Sequence, residues 1–246
     1  MKNILWLIMS GILGFAGCQS TLQFKNHTSP ELSIDFSIFE DIGCPLDKYG
    51  FHLCNSDSPL AALDCDEIRE PSDFLGGLEP SYPITLCLVE PYRDTENPGL
   101  ANAAMIAEGK YFYNAGALFP AYVRYVIFRD DQFQLIKAEG EFRAIFAPIE
   151  SANEALGYAL AVKNLRAYHG LEHNPKYVYF TNTLEDTHVE SEADGYQVYL
   201  FHHETFGCGP HMTSSVELHV SFEGVIEEVS NKPVFKDPAE DGLCVD

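Results

Sequence analysis

The sequence predicts an α+β fold, an antiparallel β-sheet meander packed on one main helix, and three observations carry that expectation. Several segments alternate apolar and polar residues with a period of two. One stretch in mid-chain has both the apolar spacing and the cap of a helix. The short alternating segments after it are separated by turn residues rather than by further helices, as hairpin-connected strands are. With 246 residues, 46% of them hydrophobic and 21% charged, the chain has the apolar material for a sizeable core and is unlike a disordered or fibrous sequence.

The chain opens on Lys2, its only charge before residue 18, followed by the apolar residues Ile4 to Met9 and then Ile12-Leu13. That run is too short for a good membrane span and reads as a signal peptide. Its end, Phe15-Ala16-Gly17-Cys18, resembles the lipobox of bacterial lipoproteins, which usually has Leu where this chain has Phe15. The resemblance implies that residues 1–17 are a lipoprotein signal peptide and that Cys18 is acylated as the first mature residue. It also implies an exported protein of the bacterial cell envelope, held at the membrane through its N-terminal lipid. Gln19 rather than Asp after the cysteine implies sorting to the outer membrane. Residues 18–31 are polar around Ser29-Pro30 and read as a tether.

Residues 32–246 then form a single α+β domain. Leu32, Ile34, Phe36 and Ile38 alternate with Ser33, Asp35 and Ser37, which predicts a half-buried strand. Residues 40–90 hold four cysteines and little periodicity before Tyr82, the pattern of a disulfide-pinned loop region or cysteine-rich subdomain. Tyr82 to Glu90 is strand-like, and Asp94 to Gly99 is turn-rich. Tyr122 to Phe128 and Phe133 to Ile136 flank Arg129-Asp130-Asp131-Gln132 as a hairpin, and Glu141 to Phe146 reads as a third strand. Ser151 and Glu154 form a capping box that opens a helix over about residues 151–168, with Lys163 and Arg166 near its negative end. Strands over 177–180, 196–201, 216–222 and 225–226 complete the meander, with Glu223-Gly224 as a turn. The order of helix and then meander is similar in shape to cystatin-like and PepSY-like exported domains, a likeness that brings no site residues with it.

Setting Cys18 aside leaves six of the seven cysteines, an even number that suits three disulfides in an oxidising compartment. The expectation is that Cys44, Cys54, Cys65 and Cys87 pair among themselves and that Cys208 pairs with Cys244. Thirty-seven acidic residues against fifteen basic ones give a net charge of −22. Such a surface excludes nucleic acid as a partner, and it requires membrane attachment to be covalent rather than electrostatic.

Three groups of residues could carry chemistry. His169-Gly170-Leu171-Glu172-His173 fits the H-x-x-E-H pattern of zinc metalloproteases, although Gly170 and Pro175 suit a helix end better. His202, His203 and His211, beside Glu204 and Cys208, could hold zinc or copper, an alternative reading that extends to a metal-dependent hydrolase; on a strand, His202 and His203 would face opposite ways. Glu190-Ser191-Glu192-Ala193-Asp194-Gly195 begins like a calcium loop, but Phe201 stands at the closing ligand position, which leaves an acidic hairpin turn. Glu185-Asp186 reads as part of a solvated face. With no complete catalytic motif, the sequence favours a lipid-anchored binding or structural module, and its 13% aromatic content would suit a protein, peptide or glycan ligand. Metabolic labelling with a fatty-acid probe is expected to mark the wild-type protein and to vanish in Cys18→Ala. Labelling that survives the substitution would refute acylation at Cys18.

Overall fold

In a computed structural model of the protein, residues 22–40, 42–92, 96–116 and 119–245 are described. Cys18 and the signal peptide lie outside them. Among the described residues, the strands in chain order are β1 (Gln23–Lys25), β2 (His52–Leu53), β3 (Glu67–Arg69), β4 (Ile84–Val89), β5 (Tyr113–Ala115), β6 (Ala121–Arg129), β7 (Gln132–Ile136), β8 (Val178–Tyr179), β9 (Thr183–Glu185), β10 (His188–Ser191), β11 (Gly195–His203), β12 (Gly207–Cys208), β13 (Met212–Ser221), β14 (Ile226–Lys236) and β15 (Cys244–Val245). The helices are α1 (Ser37–Glu40), α2 (Pro98–Glu108), α3 (Glu139–Phe146) and α4 (Ala152–Val162). Of the described residues about 21% are helical, short 3-10 turns included, and about 35% are strand, so antiparallel sheet dominates as expected. A single main helix is not clearly shown, because α2 and α4 each have eleven residues.

Two sheets enclose the helical layer. The first runs β2-β3-β4-β6-β5, with β7 also paired to β6, and the second runs β10-β11-β13-β14-β8. Ala121 to Ile127 of β6 are buried without interruption because both faces of the first sheet are covered. Tyr125 and Ile127 face the helical layer, while Tyr122 and Val126 face a second core around Phe39, Leu60, Ile68 and the sulfurs of Cys44, Cys65 and Cys87. The β6–β7 hairpin turns on Asp130 and Asp131, at φ 53° and 59°. This is the left-handed pair that a two-residue loop needs to match strand twist.

Between the sheets lies α4. Ser151 Oγ accepts a hydrogen bond from the Glu154 amide and the Glu154 carboxylate accepts one from the Ser151 amide, each 3.2 Å, so the predicted capping box is formed. Every residue from Glu154 to Val162 is buried. A helix apolar all round is stable only when enclosed, and this one is touched from both sides. Tyr125 on the first sheet donates to the Ala161 carbonyl at 2.9 Å, and Tyr158 on the helix donates to Gly224, at the β13–β14 turn, at 3.0 Å. Burial raises the pKa of both phenols, which keeps them protonated donors. Gly157 is required here, since a Cβ would lie 2.7 Å from the Phe74 carbonyl oxygen.

The differences from expectation have local causes. The predicted helix over 151–168 stops at Val162, because Arg166 instead exchanges two backbone hydrogen bonds with Phe201 at the end of β11. Gly170, although left-handed at φ 64°, therefore caps no helix. Glu141 to Phe146 is helix rather than strand: Phe142 and Phe146, four apart, bury one face, and Glu139 and Glu141 sit in the first turn. Leu32 to Ile38 alternates in burial as a strand would, yet forms no ladder, and its last residues start α1. Of the turn-rich 94–99 segment, residues 96–99 are described, and they lead into α2, capped by Asn97 with Pro98 in the first turn and closed by Gly109 at φ 63°. The segment read as a tether instead lies on the domain from Gln23 onwards, where β1 pairs in parallel with β9.

Three disulfides join Cys44 to Cys54, Cys65 to Cys87 and Cys208 to Cys244, the last across β12 and β15. Among the described residues no helix is long and apolar enough to cross a membrane. Gly157→Ala is expected to force α4 away from the Phe74 turn and to destabilise the domain by about 1–3 kcal/mol. A thermal scan should show Tm lower by about 2–4 °C for each kcal/mol.

Candidate functional site

Strand alternation leaves the second sheet with one face on α4 and one facing away. Tyr196, Val198 and Leu200 of β11 and Val216, Leu218 and Val220 of β13 join the central core. Gln197 and Tyr199, with Glu217 and His219, therefore stand on the outer face. There Gln197 Nε2 donates to Glu217 Oε1 at 2.8 Å and Ser230 Oγ donates to Oε2 at 3.0 Å, so the carboxylate is held in one orientation. The Tyr199 hydroxyl stands 3.5 Å from Glu217 Oε1. Burial, reinforced by Glu217, Glu190 and Glu185, pushes its pKa up to about 12.

A cleft of about 360 Å³ lies between this face and the chain approaching and forming β9. Glu217, Tyr199, Ser230, Lys232 and Glu185 line it, and Phe180, 49% exposed, also borders it. Leu184, Phe201 and Val234 form a small core beside it.

Next to the cleft, the β1–β9 ribbon brings together residues about 160 positions apart. Asp186 follows β9 and is fully buried. Its Oδ1 accepts from both the amide and Nδ1 of His27, each 2.8 Å, and its Oδ2 accepts from the Gly170 amide at 2.9 Å. Its backbone carbonyl accepts from His188 Nδ1 at 2.7 Å. The neighbouring Glu185 points Oε1 at His27 Nε2, 3.2 Å away, and at His188 Nε2, 3.5 Å away, and also pairs with Lys25. The three rings of His27, His188 and Tyr199 stack in a column, with both centroid separations 4.1 Å.

His169 stands close by, its ring against Phe74 and both ring nitrogens buried without a hydrogen-bond partner. Burial lowers its pKa, opposed by Asp186 and assisted by His27 and His188. His27, His169 and His188 line one cavity of about 220 Å³ with Leu156, Asn153 and Thr187.

The predicted histidine trio is not brought together. His211 is buried with Nδ1 2.9 Å from the Glu204 carbonyl and Nε2 3.3 Å from that of Leu243, so backbone oxygens occupy both nitrogens. His203 Nδ1 is 3.0 Å from Thr213 Oγ1, and its Nε2 is 3.9 Å from Glu240. Cys208 is committed to its disulfide. The H-x-x-E-H residues occupy an irregular segment, with His173 stacked on Tyr179. Glu190 to Gly195 does make the hairpin turn of β10–β11, and Glu192 and Asp194 approach His219 at 3.2 Å and 3.8 Å. Among the described residues, ligating atoms converge in two groups only: His27, Glu185 and His188, and the more exposed Glu192, Asp194 and His219.

The first group was not visible in the sequence, because His27 fell in the apparent tether and Glu185-Asp186 read as solvated. Its one local trace is the close spacing of Glu185, Asp186 and His188. Compared with family models, curated proteins and solved structures, the chain matches none. Asp186→Ala is expected to strand the three N–H donors of His27 and Gly170 and to cost about 3 kcal/mol or more. Urea unfolding measures that loss, and amide exchange should show protection lost first at His27 and Gly170.

Proposed function

We propose that the chain is an exported, lipid-anchored, disulfide-stabilised binding module of the bacterial cell envelope, sorted to the outer membrane, whose ligand is a glycan taken into the cleft of the second sheet. The lipobox-like Phe15 to Cys18 supports the anchoring, and the three disulfides suit an oxidising compartment. The observation that carries the ligand class is the lining of the cleft. An aromatic ring at Phe180 stands beside hydroxyl, carboxylate and ammonium groups at Tyr199, Ser230, Glu217 and Lys232. A sugar offers the matching chemistry, an apolar ring face for the aromatic and a rim of hydroxyls for the polar groups. Glu217, already oriented by Gln197 and Ser230, needs little reorganisation on binding.

Saturation-transfer NMR on the mature domain with a panel of envelope-type oligosaccharides tests the assignment. At least one member should bind, and the double variant Phe180→Ser/Lys232→Ala should weaken it about tenfold or more. A panel without a binder, or binding untouched by the double variant, would count against the cleft.

A further inference from the structure

We propose that His27, Glu185 and His188 form a binding site for a zinc-class divalent metal ion, oriented by Asp186, with His169 lining the adjoining cavity. The site borders the cleft through Glu185 but does not depend on a sugar binding there.

Proton placement is the first argument. The Asp186 carboxylate and carbonyl can only accept, so the Nδ1 atoms of His27 and His188 carry the hydrogens. Each neutral ring then has a bare lone pair at Nε2, and both Nε2 atoms face the same carboxylate oxygen of Glu185. Lone pairs set against an anion repel. Protonating one ring relieves only one of the two contacts, and protonating both places two cations in a stack 4.1 Å apart. One divalent cation bound by the three atoms removes the repulsion and leaves both rings neutral; because stacked rings hold their in-plane lone pairs nearly parallel, one ring must turn out of the stack to reach it.

Spacing and donor type agree with that assignment. Ligand atoms at about 2.0–2.1 Å around a tetrahedral zinc lie about 3.3 Å from one another. The observed 3.2 Å and 3.5 Å from Glu185 to the two histidines bracket that value. Two imidazoles and one carboxylate suit zinc and the late first-row metals rather than calcium or magnesium, which prefer all-oxygen shells. Both Nδ1–H groups are already held by one residue, Asp186, as the outer partners of metal-bound histidines are.

A separate observation points the same way. The ring nitrogens of His169 are buried and unpartnered beside the cavity that His27 and His188 also line. His169 is not among the atoms that already converge, but by turning toward the metal it would become a fourth ligand, the third nitrogen, and gain a partner. Lys25, which also reaches Glu185, is 60% exposed and can move to solvent when the metal binds. Glu190 is a further charged neighbour of this group and adds negative potential at Lys25.

The test uses the mature chain with its disulfides intact, stripped of metal and titrated with zinc or cobalt(II). One equivalent of zinc is expected to bind, and the cobalt form should show the strong visible bands of tetrahedral coordination. Nitrogen NMR of the unsubstituted protein should place the metal on Nε2 of His27 and His188, a readout that needs no variant to fold. His188→Gln should weaken binding about 100-fold, and Asp186→Asn about 10- to 100-fold. His202→Ala should leave it unchanged. No stoichiometric zinc, octahedral cobalt spectra, or binding that survives His188→Gln and is lost in His202→Ala would overturn the assignment.

Discussion

The structure depends on one constraint, that α4 has no face fit for water. From Glu154 to Val162 every side chain is buried, so the helix exists only while something apolar lies on all sides of it. The chain meets this with two sheets and with the 73–77 turn laid across Gly157. Tyr125 and Tyr158 tie the helix to each side, and their hydroxyls stay protonated because the surroundings that bury them penalise a phenolate. Since the inner face of the second sheet is spent on α4, its polar residues can gather only on the outer face. The location of the cleft and of the histidines is in that sense a by-product of how the helix is enclosed.

A second tie acts at longer range. The buried Asp186 carboxylate is satisfied by donors from two distant segments, His27 near the start of the domain and Gly170 after α4. A buried anion is tolerated only when its oxygens are paired, so both segments must be in place for either to be stable. The same residue fixes which nitrogen of each histidine faces Glu185. Structural satisfaction and chemical preparation are here one set of hydrogen bonds.

What was legible in the sequence was whatever is encoded within a few residues. The Ser151–Glu154 box, the Asp130-Asp131 turn and the alternation along β11 and β13 are local patterns, and the structure forms each of them. Pattern and structure part where two local patterns compete. Glu141 to Phe146 alternates loosely, but its two phenylalanines are four apart, and helical spacing prevailed. Asn97-Pro98 suits a turn and the first turn of a helix equally, and the residues after it decided for α2. Leu32 to Ile38 shows that burial can alternate without a partner strand. The histidine group could not be found this way, because His27 and Asp186 meet only through the parallel pairing of β1 with β9.

That pairing also sets a distance. Only five positions separate Cys18 from Gln23, the first residue of β1, and a fully extended chain spans at most about 3.6 Å per residue. With an acyl chain on Cys18, the β1 edge would sit within roughly 18 Å of the lipid surface. The leash would be too short for the domain to tumble freely, so the bilayer would select which side of the protein faces the periplasmic or outer space. The histidines, two residues beyond β1 on one strand and three beyond β9 on the other, would then work in the thin aqueous layer next to the headgroups.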